Sequence, residues 1–442
     1  MQDNHLTSIP FSSFDLPELL IKGITAAGYQ YCTPIQAESL PQLLAGQDIT
    51  GQAQTGTGKT AAFLIAMLNR LLRSPPTNTG QSCLPRGVII APTRELAIQI
   101  HSDALKLGQY TGFNIDVIYG GAGYETQQKI FQRRVDILIG TPGRMIDFHK
   151  QRLFDLKAVA VLVLDEADRM FDLGFIKDIR YLLRRMPKPE QRLSMLFSAT
   201  LSYRVNELSY EHMNNPQRVH IETERVTADK IKQAVYYTSN EEKIPLLLGL
   251  LQRINAQRTL IFVNTKHVAN RVCAYLQANA CNADTLSGDV PQKKRIALLK
   301  AFQQGELAIM VATDVAARGL HIPNISHVIN YDLPQDPEDY VHRVGRTARA
   351  GASGDAISFA CEDYAFSLPE IERYLHHKIP LEAITPELLL KPKQPAAGSL
   401  RRPSRHGGRP SQSKGRARTG GGRTDTPRRH RPPRRKTPTA KG

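Results

Sequence analysis

Two stretches of this chain carry side chains suited to handling a triphosphate. The first reads Ala53-Gln54-Thr55-Gly56-Thr57-Gly58-Lys59-Thr60. Gly56 and Gly58 let backbone amides approach phosphate oxygens, Lys59 can reach the β- and γ-phosphates, and the Thr60 hydroxyl can ligate Mg²⁺. The second, Asp165-Glu166-Ala167-Asp168, closes the apolar run Ala158-Val159-Ala160-Val161-Leu162-Val163-Leu164. A carboxylate pair at a strand end can hold Mg²⁺ through Asp165 and orient an attacking water through Glu166. Loop and carboxylates together are the parts that nucleoside-triphosphate hydrolysis requires.

Such groups must be brought to one edge of a sheet, and the pattern of the chain supplies one. Apolar runs at Gly87–Ala91, Asn114–Tyr119, Asp136–Gly140, Val159–Leu164 and Leu193–Ser198 alternate with amphipathic stretches suited to crossover helices. That alternation predicts a doubly wound α/β domain, with ligands beyond the carboxyl ends of its strands. Asn214-Asn215-Pro216 marks a boundary and Glu222–Asp229 an exposed linker. A second set follows at Gln233–Tyr237, Thr259–Val263, Ala283–Leu286, Ala308–Ala312, His327–Asn330 and Ala356–Ala360, without a phosphate loop. Two α/β domains sharing one loop place the nucleotide in the cleft between them.

The charge is unevenly placed. The chain of 442 residues has 58 Lys+Arg against 41 Asp+Glu, a net of +17. Residues 391–442 hold 17 Lys+Arg and only Asp425, so +16 lies there and the first 390 residues are close to neutral. That tail is rich in Arg, Pro, Gly, Ser and Thr, and it cannot bury enough apolar surface to offset its ordering entropy. It reads as disordered, with runs such as Arg428-Arg429-His430-Arg431 suited to sequence-independent phosphate contacts. No apolar run is long enough for a membrane span, and Met1-Gln2-Asp3-Asn4-His5 lacks the features of a secretory leader. Five cysteines without CxxC spacing argue against zinc and fit a reducing cytoplasm.

The second domain contains His342-Arg343-Val344-Gly345-Arg346-Thr347-Ala348-Arg349. On a helix, His342, Arg346 and Arg349 fall at i, i+4 and i+7 and share a face. Guanidinium stays charged and bonds bidentately, so Arg346 and Arg349 are suited to reach the γ-phosphate.

From about residue 9 to about 375 the chain resembles the DEAD-box RNA helicases of superfamily 2. Gly28-Tyr29-Gln30-Tyr31-Cys32-Thr33-Pro34-Ile35-Gln36 is similar to the family's Q motif, which implies that Gln36 reads the adenine edge and that Phe11 stacks on the base. An amide can donate and accept at once, as an adenine edge requires. Ser198-Ala199-Thr200 resembles the motif that ties ATP state to strand separation, its hydroxyls bonding Asp168. Pro92-Thr93-Arg94, Gly121 and Thr141-Pro142-Gly143-Arg144, with Asn264, Gln292, Arg295 and Thr313, resemble the positions that contact RNA phosphate and 2′-OH. After Arg318-Gly319-Leu320, many members have an Asp on the ATP ribose; here it is His321, whose imidazole can also bond a hydroxyl.

The resemblance implies tandem RecA-like domains: residues 1–216 with the Q motif and ATP site, a linker 217–230, a second domain 231–390 and the basic tail 391–442. It implies ATP and Mg²⁺ as cofactors and structured mRNA as substrate. The block Asp165–Arg180, His321, Cys32 and the Gly351–Gly354 stretch are similar to a bacterial branch of the family that serves the RNA degradosome. That branch implies the RNase E scaffold as a partner. Two other readings of the same residues stay open: an ATP-gated RNA clamp with little turnover, and a DNA-translocating relative.

Overall fold

Parallel pairing runs through both sheets of the computed structural model, which describes residues 6–53, 56–74, 83–121, 123–221, 231–254, 257–317, 325–347 and 354–396. The first sheet is built from β1 (Ile49–Gln52), β2 (Gly87–Ile90), β3 (Ile115–Ile118), β4 (Ile137–Gly140), β5 (Val161–Leu164), β6 (Leu193–Ser198) and β7 (Gln217–His220). Their order is β3-β4-β2-β5-β6-β1-β7. The second contains β8 (Ile231–Tyr237), β9 (Thr259–Phe262), β10 (Ala283–Leu286), β11 (Ile309–Ala312), β12 (His327–Asn330) and β13 (Gly354–Ala360), ordered β10-β11-β9-β12-β13-β8. These are two doubly wound α/β domains in tandem, as the alternation of runs predicts. Gln54, Thr55, Gly319, His321, Arg349 and the tail from 397 onward, for which the sequence carries expectations, lie outside the described residues.

The central strands are apolar on both faces because helices cover both sides. In β5, Val161 and Val163 enter one core while Leu162 and Leu164 enter the other. In β9, Ile261 faces one cluster, joined by Val263 just past the strand, while Leu260 and Phe262 face the opposite one. Strand β1 is absent from the sequence expectation, and β7 occupies the start of the stretch 217–230 expected as linker, so the first domain runs past 216. Ile49-Thr50-Gly51-Gln52 is short and mostly polar, yet it lies between β6 and β7 with Gln52 opposite Ser198 and His220. Gly51 belongs there because a Cβ would strike the Phe197 ring at 2.6 Å.

This order positions the chemistry. Strands β5, β6 and β1 are consecutive neighbours, about 4.8 Å apart per step. Parallel strands end on the same edge, so Asp165, Ser198 and Ala53 emerge side by side.

The second domain also extends past the expected boundary at 390. Leu390 N donates to the Pro245 carbonyl, Lys393 N to Asn279 Oδ1 at 3.0 Å, and the Tyr275 hydroxyl to Gln394 Oε1 at 2.8 Å. The Leu388 carbonyl presses on Gly249 so closely that a Cβ there would overlap it. Gly249→Ala is therefore expected to cost about 1–3 kcal/mol by overpacking. Thermal unfolding of the full chain measures this, and an unchanged Tm would show that the 388 segment moves aside freely.

Candidate active site

The phosphate loop follows β1 and feeds the helix Lys59–Arg73. Gly56 and Gly58 have φ of 91° and 93°, a left-handed backbone that glycine adopts without steric cost. Gly58 is needed for a second reason: a Cβ would lie 2.8 Å from Thr33 Oγ1 and close to the Gln36 amide. Thr57 and Thr60 flank the turn, half-exposed. Lys59 is buried and its Nζ donates to the Ala53 carbonyl at 2.6 Å. The amine thus folds back over its own loop, where its charge faces Asp165.

Asp165 is 3 % exposed and accepts from Glu166 N at 3.0 Å. Burial pushes its carboxyl up to about 7, against the pull of Lys59 and with a further push from Glu166. Glu166 has φ 51° and ψ 54°, left-handed for a residue with a Cβ. Such backbones cost of order 1–3 kcal/mol and collect at functional sites. Glu166 Oε2 is buried, 3.4 Å from Arg169 Nε, and has no hydrogen-bond partner among the described residues. These observations fit a cation with a polar ligand. The donor set of Thr60 and Asp165 would hold Mg²⁺ alongside phosphate oxygens, the usual arrangement for that ion. No group of three or more His, Cys, Asp or Glu among the described residues could cage a metal by itself.

Gln36 is tied at both ends of its amide. Oε1 accepts from Thr33 N at 2.8 Å and Nε2 donates to the Gly58 carbonyl at 3.0 Å. One N–H and one lone pair remain, enough for a donor–acceptor pair with a base edge. Phe11 is packed in the first domain's core, with its ring centre 6.1 Å from that of Tyr29.

The coupling triplet is bonded to Asp168 partly through a hydroxyl, that of Ser198, as the resemblance implies, and partly through its main chain. Asp168 Oδ2 accepts from the backbone N–H of Ala199 at 3.1 Å and of Thr200 at 3.3 Å. The Ser198 hydroxyl accepts from Asp168 N at 3.2 Å and donates to the Thr200 carbonyl at 2.6 Å. The carboxylate grips the turn through main-chain amides, not through the hydroxyls.

In the second domain the helix Pro337–Val344 stops at Gly345. Arg346 therefore lies past the helix end, 3 % exposed, with Nε donating to the His342 carbonyl at 3.1 Å. The continuous helical face expected through residue 349 is not formed. Arg343, which the motif spacing leaves without a role, is the hub. It is 1 % exposed, forks onto both Asp314 oxygens at 2.7 and 2.6 Å, and donates to the Asp332 carbonyl and to Asn264 Oδ1. Asp332 in turn pairs with buried Lys243 at 2.6 Å and accepts from Asn264 N. Only the fixed charge of Arg343 within a basic motif could have hinted at this; nothing marks Lys243, which opens an apolar helix.

The expected RNA-contacting residues fall into separate groups. Thr93 caps the helix Arg94–Leu107, and Thr141 precedes the helix Pro142–Lys150, with Pro142 in its first turn. Pro92 lies just ahead of the first of these helices and Gly143 is exposed. The Arg144 guanidinium sits 5.0 Å from the centres of both the Tyr124 and Phe148 rings. Arg94 lies against Gly121, whose φ is 79°. It also donates to Gln292 Oε1 at 3.4 Å, Gln292 Nε2 donates to Glu95 at 3.1 Å, and Arg295 is ion-paired with Glu95. Thr313 is buried at the end of β11. Arg94, Gln292 and Arg295 thus come together, held by Glu95, while Arg144, Asn264 and Thr313 stand in other networks.

A paired set of parallel α/β domains with a phosphate loop beside an Asp-Glu-Ala-Asp edge defines an ATP-driven helicase motor. Residues 33–208 match the DEAD/DEAH box helicase family and residues 242–351 the helicase conserved C-terminal domain. The chain belongs to this family; it is an ATP-dependent RNA helicase and hence an RNA-dependent ATPase. It is 58% identical over 390 residues to ATP-dependent RNA helicase RhlB of Xanthomonas axonopodis pv. citri, covering 88% of this chain and 68% of that one. With RhlB of Vibrio cholerae it shares 54% identity over 434 residues, 98% of this chain and 99% of the other. Its fold is similar to that of S. cerevisiae Dbp5 bound to RNA and ADP BeF3, with TM-score 0.74 and 32% identity over 85% of this chain and 96% of that one.

Arg343→Met leaves Asp314 without its partner and is expected to cost about 3–5 kcal/mol. Urea unfolding of the full chain would measure this, and a cost under about 1 kcal/mol would mean that water readily replaces the guanidinium.

Proposed function

We propose that this helicase separates short RNA duplexes locally, binding ATP and RNA together in the cleft between its domains. The observation that carries the reading is the shared edge of β5, β6 and β1, where Asp168 is bonded to the turn 198–200 beside the phosphate loop. In this reading Gln36 reads the adenine edge, and the loop Ala53–Thr60 cradles the phosphates. Lys59 turns from the Ala53 carbonyl to the β- and γ-phosphates. Thr60 and Asp165 would hold Mg²⁺, which supplies charge neutralisation at the phosphate oxygens when bound. Glu166 orients the water and accepts its proton, and Arg346 and Arg349 stabilise the charge that develops on the transferred group. The Asp168–Ser198–Thr200 linkage passes the nucleotide state to the RNA side.

Pro92, Thr93, Arg94, Gly121 and Thr141–Arg144 in the first domain, with Asn264, Gln292, Arg295 and Thr313 in the second, grip one strand through phosphate and 2′-OH. Contacts of this kind position a strand without reading its bases. Bending that strand is incompatible with a continuous duplex. The basic tail adds affinity that falls with salt. Similarity to RhlB over most of the chain supports a role in opening structured mRNA for a ribonuclease in the cytoplasm, with the RNase E scaffold as partner through the second domain. Among the described residues no helix is long and apolar enough to cross a membrane.

Glu166→Gln should lower steady-state ATPase by about 10²–10⁴-fold while ATP-dependent RNA binding persists. Continued turnover near the wild-type rate would remove Glu166 from its role. Deleting residues 397–442 removes fifteen Lys+Arg, the seventeen of 391–442 less Lys391 and Lys393. The plot of log affinity against log salt should flatten by about 0.7 for each phosphate of single-stranded RNA that the tail had neutralised. An identical slope in fluorescence anisotropy titrations would mean that the tail does not touch phosphate.

A further inference from the structure

The turn Ser198-Ala199-Thr200 is held from two sides. On one side its amide groups are gripped by Asp168, through Ala199 N and Thr200 N. On the other, its carbonyls are gripped by the strand that enters the phosphate loop. Ala53 N donates to the Ser198 carbonyl at 3.1 Å, and Gln52 Nε2 donates to the Ala199 carbonyl at 3.3 Å. The first of these two bonds continues the β1–β6 ladder, and any residue other than proline can make it. The second depends on one side chain. Gln52 is half-buried between β6 and β7, and its amide extends past the ladder to the first peptide beyond it.

We infer that Gln52 is a positioning residue that couples the phosphate loop to the turn 198–200. The inference rests on the proposed role of that turn in linking nucleotide and RNA. A displacement of the strand end at Gln52-Ala53 pulls on the Ala199 carbonyl, and the same peptide plane carries the pull towards the amides held by Asp168. Without the side-chain bond, β1 and β6 stay paired and Lys59 stays on its helix. Binding at each site is then preserved while the communication between them weakens.

Gln52→Met keeps the length of the side chain and removes the donor, whereas Gln52→Lys restores an N–H. The measurement is the RNA dissociation constant with and without a non-hydrolysable ATP analogue, together with the analogue's affinity alone and the Tm. For Gln52→Met, each ligand alone should bind within about twofold of wild type, while the ratio that reports coupling falls about five- to tenfold, the worth of one hydrogen bond. Gln52→Lys should recover most of that ratio. An unaltered ratio in Gln52→Met overturns the inference. So does a parallel loss of both affinities and Tm, which would make Gln52 merely structural, and so does a Gln52→Lys variant no better than Gln52→Met. A wild-type ratio of one would instead overturn the coupling role of the turn, and the Gln52 inference with it.

Discussion

Carboxylates withdrawn from water at the carboxyl edge of an apolar sheet are the constraint around which the first domain is arranged. Asp165 and Glu166 end a strand that is buried on both faces, and for Asp165 desolvation opposes the charged state. Burial is the main cause that drives the Asp165 carboxyl up to about 7. The charge of nearby Lys59 pulls against it, and so does the hydrogen bond from Glu166 N. The proximity of Lys59 depends on β1 lying close to β5, with only β6 between them. The left-handed backbone at Glu166 is a cost of the same arrangement, because it turns the second carboxylate inward directly after the first.

The second domain meets an equivalent problem with the opposite sign. Arg343 and Lys243 are cations buried at the strand ends, each answered by an aspartate, Asp314 and Asp332 respectively. Arg343 and Asp332 also bond the side chain and backbone of Asn264, so the segments after β9, β11 and β12 are locked into one network. A planar guanidinium with five donors can satisfy that many acceptors at once, and lysine cannot. Asn264, which is expected to grip RNA, is therefore held by Arg343 and Asp332.

The elements legible from sequence are those whose own residues decide their state. Val161–Leu164 and Thr259–Phe262 are apolar and β-rich enough to be strands in any context, and glycines before a lysine describe a phosphate loop by themselves. Strand β1 is hidden because Thr50, Gly51 and Gln52 are strand residues only by virtue of the neighbours on either side. The helix end at Val344 escapes because residue spacing supports a helical face whether or not Gly345 terminates it. Asp168 can be singled out, but its acceptance of main-chain amides cannot, since every residue except proline offers the same N–H. Arg343 and Lys243 escape notice because burial, not residue type, makes them decisive.

Two opposed interactions between the domains follow from the same residues. Glu95 of the first domain draws Arg295 and Gln292 of the second, and Arg94 reaches Gln292 beside it. Against this, burial raises the Glu338 carboxyl, and the negative charges of Asp336 and then of Asp168 and Asp172 push it in the same direction. Glu338 belongs to the second domain and the last two aspartates to the first, so approach of the domains sets like charges against each other. Such a repulsion weakens as cationic charge gathers near these carboxylates, and the attraction weakens as anionic charge gathers near Arg94 and Arg295. Charges of opposite sign brought to this boundary thus act on different terms of one balance.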